Sequence, residues 1–260
     1  MGKTIEEYEN MDCFNRAQIR NIRFGLVKGL DVDIYAKPEF AAEQMYMIAI
    51  GLLKGVDISF YANPIYDDQQ MLVIYYGLVH NLDVSAYAKP EFSSEQMNQI
   101  RFGLMRGLDV SIYAKPEFTS SQMSQIFLGL VENVDVSVYA KPEIYVGKME
   151  LYRYAIIRGI DLSEYIVDGK HECFSTSCLK EIYLGLVQGL DVSTYAKPEF
   201  NHHQMSEIRS GLMENVDVSA YAKPEFAHEK MFRIRYKLNM GLDMDGIEND
   251  DESYEEQRDE

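Results

Sequence analysis

SSEQMNQIRFGLMRGLDVSIYAKPEF, residues 93–118, is one complete cycle of a pattern that recurs along the chain. Its proline is one of seven, and all seven share a register: Pro38, Pro64, Pro90, Pro116 and Pro142 in steps of 26, then Pro198 and Pro224. A fixed period of this length is the mark of a repeat architecture. Aligned on the prolines, residues 15–226 divide into eight units, seven of 26 residues and one of 30, followed by a half-unit at 227–242.

Each unit encodes one long helix and one very short one. Met97, Ile100, Leu104 and Leu108 recur at three- and four-residue spacing, which places them on one helical face. The helix starts at a capping residue three before a Gln, as in Ser93/Gln96, Thr119/Gln122, Asp67/Gln70, Asn15/Gln18 and Asn201/Gln204, the spacing of a capping box. A Phe before the cap and a Met in the second turn (Phe92 with Met97, Phe118 with Met123) complete a hydrophobic staple, so both columns are expected in the core. The helix ends at a column holding only Gly or Asn, from Gly29 and Gly55 through Asn81, Gly107 and Asn133 to Gly241, the residues that enter the left-handed conformation at least cost. Two residues later every unit has Asp, which caps a second helix of about five residues. That helix must stop before the proline, because the preceding residue is driven out of the α region. Such small helix pairs bury their apolar faces only by stacking. The expected fold is therefore an all-α solenoid of eight two-helix repeats plus a terminal half-repeat, spanning residues 15–242, with an irregular sixth repeat at 145–174. Residues 1–14 read as an N-terminal cap. Residues 243–260, with ten acidic side chains against one basic and a net charge of −9, read as a disordered acidic tail.

The string GLDVSxYAKPEFxxxQMxxIRxGL resembles the tandem repeats of uncharacterised proteins from gut Firmicutes and their mobile elements, whose usual form is similar to GLDVSxYADPxFxxxQMxxIRxGL. The likeness covers residues 15–242. It implies a helical-repeat fold and a mobile-element setting, and it carries no function over to individual residues.

Composition narrows the function. Asp and Glu outnumber Lys and Arg by 42 to 25, a formal charge of −17, which argues against direct binding to nucleic acid or to an anionic membrane surface. The partner expected is a protein, basic or of mixed charge; a basic nucleic-acid-binding protein is one such partner. Three cysteines (Cys13, Cys173, Cys178), too few and too irregular for a disulfide framework, point to a reducing cytoplasm, and no long apolar run suggests a membrane span. Neither a nucleophile elbow nor a phosphate-binding glycine loop occurs, so no catalytic residues are assigned and no enzyme is expected.

Two features are weighed as sites and set aside. In the sixth repeat IVDGKHECF (166–174) replaces the A-K-P-E-F stretch, and His171, Cys173 and Cys178 lack the paired close thiolates of a structural zinc site, even with His202 or His203 as a fourth ligand. A loop or hinge is expected there, with no metal and no cofactor. The Lys-Pro-Glu ladder (Lys115/Glu117 and its equivalents) reads as a solvated ridge of neighbouring ion pairs.

One helical face departs from the pattern. Opposite the Met97/Ile100/Leu104 stripe the fourth unit carries Asn98, Gln99, Phe102 and Arg106, whereas the second and third carry Tyr46, Met47 and Ile50, then Leu72, Val73 and Tyr76. These six are expected to align into one apolar patch rimmed by Lys54 and His80, the composition of a partner-binding site. Internal cover by Ile5 and Tyr8 of the N-terminal segment is weighed equally, and a homodimer seam is the third option. The expectation is thus a non-enzymatic protein–protein interaction scaffold. The alternative is an acidic inhibitor of a host defence protein, in the manner of DNA-mimicking anti-CRISPR proteins.

Overall fold

The structure, a computed structural model, describes residues 3–165 and 174–244. The segment 166–173, with His171 and Cys173, and the tail from 245 lie outside the described residues, and with them the loop and the tail expected there. Among the described residues the protein is an all-α helical-repeat solenoid of ten α-helices. They are α1 (Ile5–Glu9), α2 (Arg16–Val27), α3 (Ala42–Lys54), α4 (Asp68–Val79), α5 (Ser94–Met105), α6 (Ser120–Val131), α7 (Val146–Ile157), α8 (Thr176–Val187), α9 (His202–Met213) and α10 (His228–Met240). No described helix is long and apolar enough to cross a membrane. Two compact units divide the chain, Met1–Met149 and Glu150–Glu260. In the first, α1 packs on α2 and each helix from α2 to α5 packs on the next; in the second, α8 packs on α9 and α9 on α10.

The caps form as the columns require. Asn15, Asp67, Ser93, Thr119 and Asn201 accept from the third helical N–H, and the Gln of each returns a side-chain oxygen to the cap N–H. The helix-ending column is left-handed throughout, with φ of 68° at Gly107 and 56° at Asn133. The Asp column caps the second element, Asp109 Oδ1 accepting from Ser111 N at 3.0 Å. First the Ser hydroxyls and then the Ser backbone N–H groups hold the Asp57, Asp83, Asp109 and Asp135 carboxyls below the ordinary range.

The second element is shorter than the expected five residues. It is a three-residue 3-10 turn, Val110–Ile112 in the fourth repeat, because the Tyr that follows leaves the helical region at φ −126°. That Tyr explains the turn. Tyr113 is fully buried and donates its hydroxyl to the Gln99 carbonyl at 3.2 Å, and Tyr35, Tyr61, Tyr87, Tyr139, Tyr195 and Tyr221 bond the carbonyl fourteen residues back in the same way. Burial pushes the Tyr35 hydroxyl up to about 12.

The Gln column has a second duty. Beyond the cap, Gln122 Nε2 donates at 2.8 Å to both the Pro142 and Ile144 carbonyls, on the segment leading into the next long helix. Gln18, Gln44, Gln70, Gln96 and Gln204 make the equivalent pair of bonds. Each Gln thus ties its own helix to the chain entering the next one. The seventh repeat has Cys178 here, whose Sγ lies 4.0 Å from the Phe200 carbonyl. Cys178 therefore occupies a tie position in the core, where it is buried.

At the N-terminal end Tyr8 is buried and donates to Asp33 Oδ1 at 2.5 Å, Glu9 pairs with Arg23, and the Tyr8 and Phe14 rings meet edge-on at 6.2 Å. The N-terminal segment caps the first repeat. Its α1 helix packs on α2, and its Tyr8 reaches Asp33, both in the first repeat. The Lys-Pro-Glu ladder is exposed, but among the described residues no ion pair joins its Lys and Glu side chains, contrary to the expected ridge of pairs.

Candidate interaction surface

A long helix in the stack is covered by its neighbours on both flanks and by its own 3-10 turn beneath, so only a narrow arc meets solvent. On α3 and α4 the arc does not coincide with the six-residue patch read from the sequence. Tyr46 and Tyr76 are 48% and 44% exposed, and Lys54 and His80 are exposed beside them. Ile50 and Leu72 are half-buried. Met47 and Val73, at 8% and 4%, belong to the core, because their position faces the flank of the stack. The patch is therefore corrected by removing these two residues.

The surface gains others. Leu53, Val79, Phe102 and Met105 are exposed, and together with Tyr76 they define two columns, one residue before the intrahelical Gly and two after it. The first column reads Phe24, Ile50, Tyr76, Phe102 and Leu128 in the first unit; the second reads Val27, Leu53, Val79, Met105 and Val131. In the second unit Tyr154 and Ile157, then Leu184 and Val187, continue the pattern, and Ser210 interrupts it before Met213. Spaced three apart on a helix, the two columns share one face. The sequence held the signal, since both columns are apolar in almost every repeat, but Phe102 read alone looked like a single exception on a polar face. A shallow groove of about 570 Å³ borders this surface at the C-terminal ends of α3 and α4, lined by Lys54, Val56, Asp57, Leu78, Val79 and Leu82.

Charge is distributed unevenly over the face. The position after the second column is Lys28, Lys54, His80 and Arg106 in the first four repeats, then Glu132 in the fifth. Positive charge near a helix C-terminus suits the macrodipole, but the dipole alone does not select it, since the same position holds Arg158, Gln188 and Glu214 in the second unit. The Asp column near these helix ends is committed to the 3-10 turns. In the second unit three histidine rings stack, His203 lying 3.9 Å from His202 and 4.7 Å from His228 between centroids; among the described residues no group of three His, Cys, Asp or Glu side chains is arranged to hold a metal ion.

No protein-family model, no curated protein and no solved structure matches this chain.

Proposed function

We propose that the protein is a non-enzymatic interaction scaffold that binds a partner protein on the exposed face of its long helices. The observation that supports this reading is the run of exposed apolar side chains on α4 and α5, Tyr76, Val79, Phe102 and Met105, each between 42% and 49% exposed. Contiguous exposed apolar surface is uncommon on proteins without a partner, and Tyr, Phe, Met and Arg are favoured at interface centres. The free Cys13 and the low cysteine count fit a reducing cytoplasm as the site of action. A second reading, an acidic inhibitor of a basic host defence protein encoded on a mobile element, is favoured by the net charge of −17 and by the tail.

Photo-crosslinking in the native cell separates these readings. A benzoylphenylalanine at Phe102 is expected to trap one defined protein, and the same probe at Lys115, in the exposed Lys-Pro-Glu segment, is expected to trap none. Crosslinks of equal yield and unselective composition from both positions would defeat the scaffold reading. Trapping of a basic nuclease through the tail instead would favour the second.

A further inference from the structure

Arginines two residues before the intrahelical Gly position are held by the preceding repeat in the second unit. Arg209 donates from Nε to Glu181 at 2.8 Å and from Nη1 to Gln188 at 3.2 Å. Arg235 donates from Nε to Glu207 at 3.0 Å and from Nη1 to Glu214. The partners stand 28 and 21 residues upstream. Arg101 occupies the same column in the first unit, and there the residues 28 and 21 upstream are Val73 and His80. Among the described residues no carboxylate reaches it. Its Nε is enclosed without a hydrogen-bond partner, Nη1 rests against Met105 Sδ at 3.3 Å, and Nη2 donates to Asn98 at 3.0 Å. The guanidinium lies 4.7 Å from the centre of the Phe102 ring and 5.9 Å from that of Tyr76, both exposed.

A half-buried guanidinium with aromatic faces beside it and weak acceptors around it gains more from a carboxylate than a hydrated surface charge does, since charge-assisted bonds strengthen as water is excluded. The charges nearby reinforce the demand. His80 and Arg106 are the C-cap residues of α4 and α5, Lys54 stands in the last turn of α3, and Arg106 lies 5.9 Å from the Phe127 ring. Arg101 and Arg106 thus stand beside aromatic rings, with the carboxylates nearest the helix ends, Asp57, Asp83 and Asp109, bonded to the Ser residues of their own 3-10 turns.

We propose that Arg101 anchors a carboxylate of an acidic, amphipathic segment of a partner protein, whose apolar side chains lie over Tyr76, Val79, Phe102 and Met105. The inference rests on the scaffold reading and narrows the partner's chemistry: the segment supplies from outside the carboxylate that Glu207 and Glu214 supply to Arg235 from within.

The test uses the full chain and two capped ten-residue peptides, one alternating Glu with Leu and Tyr, the other with Lys in place of Glu. The Glu peptide is expected to bind saturably and the Lys peptide not at all. Arg101→Gln is expected to weaken the Glu peptide at least about tenfold. His80→Glu, at an exposed position, builds the internal pair that Glu214 makes with Arg235 and is expected to weaken the same peptide without lowering the melting temperature. Absence of Glu-peptide binding, equal binding of both peptides, or unchanged affinity in both variants would overturn the anchor. A Phe102 crosslink that persists in Arg101→Gln would overturn the anchor and leave the scaffold standing, whereas absence of any Phe102 crosslink would remove the scaffold on which it rests.

Discussion

Gly103 and Tyr113 are ten residues apart, and so are Gly25 and Tyr35, Gly51 and Tyr61, and their counterparts, because the tyrosine fills the space where a side chain would begin. A Cβ on Gly103 would lie 2.0 Å from Tyr113 Oη and 2.7 Å from Val110 Cγ1. The sixth repeat has Ala155 in this column, and there Tyr165 is half-buried and the 3-10 turn runs Ser163–Tyr165, one residue later than its equivalents relative to the Asp. We expect Gly103→Ala to destabilise the protein by about 1–3 kcal/mol in urea unfolding, although alanine favours a helix interior over glycine by roughly 1 kcal/mol. Adding Tyr113→Phe removes the colliding oxygen, so the double variant should lose less than the sum of the single losses. Strict additivity would show that the two residues do not share a slot. The left-handed caps were legible in the sequence, because Gly alternating with Asn has few other causes. The slot was not, since it is a contact between a helix and the turn after it, and a lone helical Gly does not name what approaches it.

At the level of elements, the Gln column was legible as half of a capping box and no more. Its bonds to the next repeat's carbonyls became evident only when the two segments were placed side by side. They make the Gln a tie between neighbours, and at Cys178 the tie is reduced to one long thiol contact with the Phe200 carbonyl. Cys178→Gln is therefore expected to stabilise the second unit by about 1 kcal/mol, the net value of a typical added hydrogen bond, measured as a rise in urea midpoint at unchanged slope. A fall in midpoint would mean that the space beside the Phe200 carbonyl does not admit the amide. The candidate surface was misread at this level for a related reason. A helix in a stack buries both flanks, so Met47 and Val73, apolar residues that looked surplus to one core stripe, are core residues facing a neighbour. The fourth repeat, with Gln99 half-buried at that position, gave the misleading impression that the whole arc faces water.

Across the whole molecule, local geometry and net charge point in different directions. The sum of −17 describes solubility and long-range potential, while the partner segment we propose would meet Arg101, which stands beside the Phe102 and Tyr76 rings. Charge totals were legible from composition; the unpaired Arg101 was not, because its condition depends on which residues the preceding repeat presents. The central claim, a proposal, is that the exposed members of the two columns serve binding and contribute little to folding. The most direct measurement is partner retention by Leu53→Lys/Val79→Lys/Met105→Lys, with the protein trapped at Phe102 as the readout and urea unfolding as the control. The lysine stems still cover the helix, so stability should stay within about 1 kcal/mol of the parent, and retention should be lost. A folded triple variant that holds the partner as well as the parent does would contradict the account.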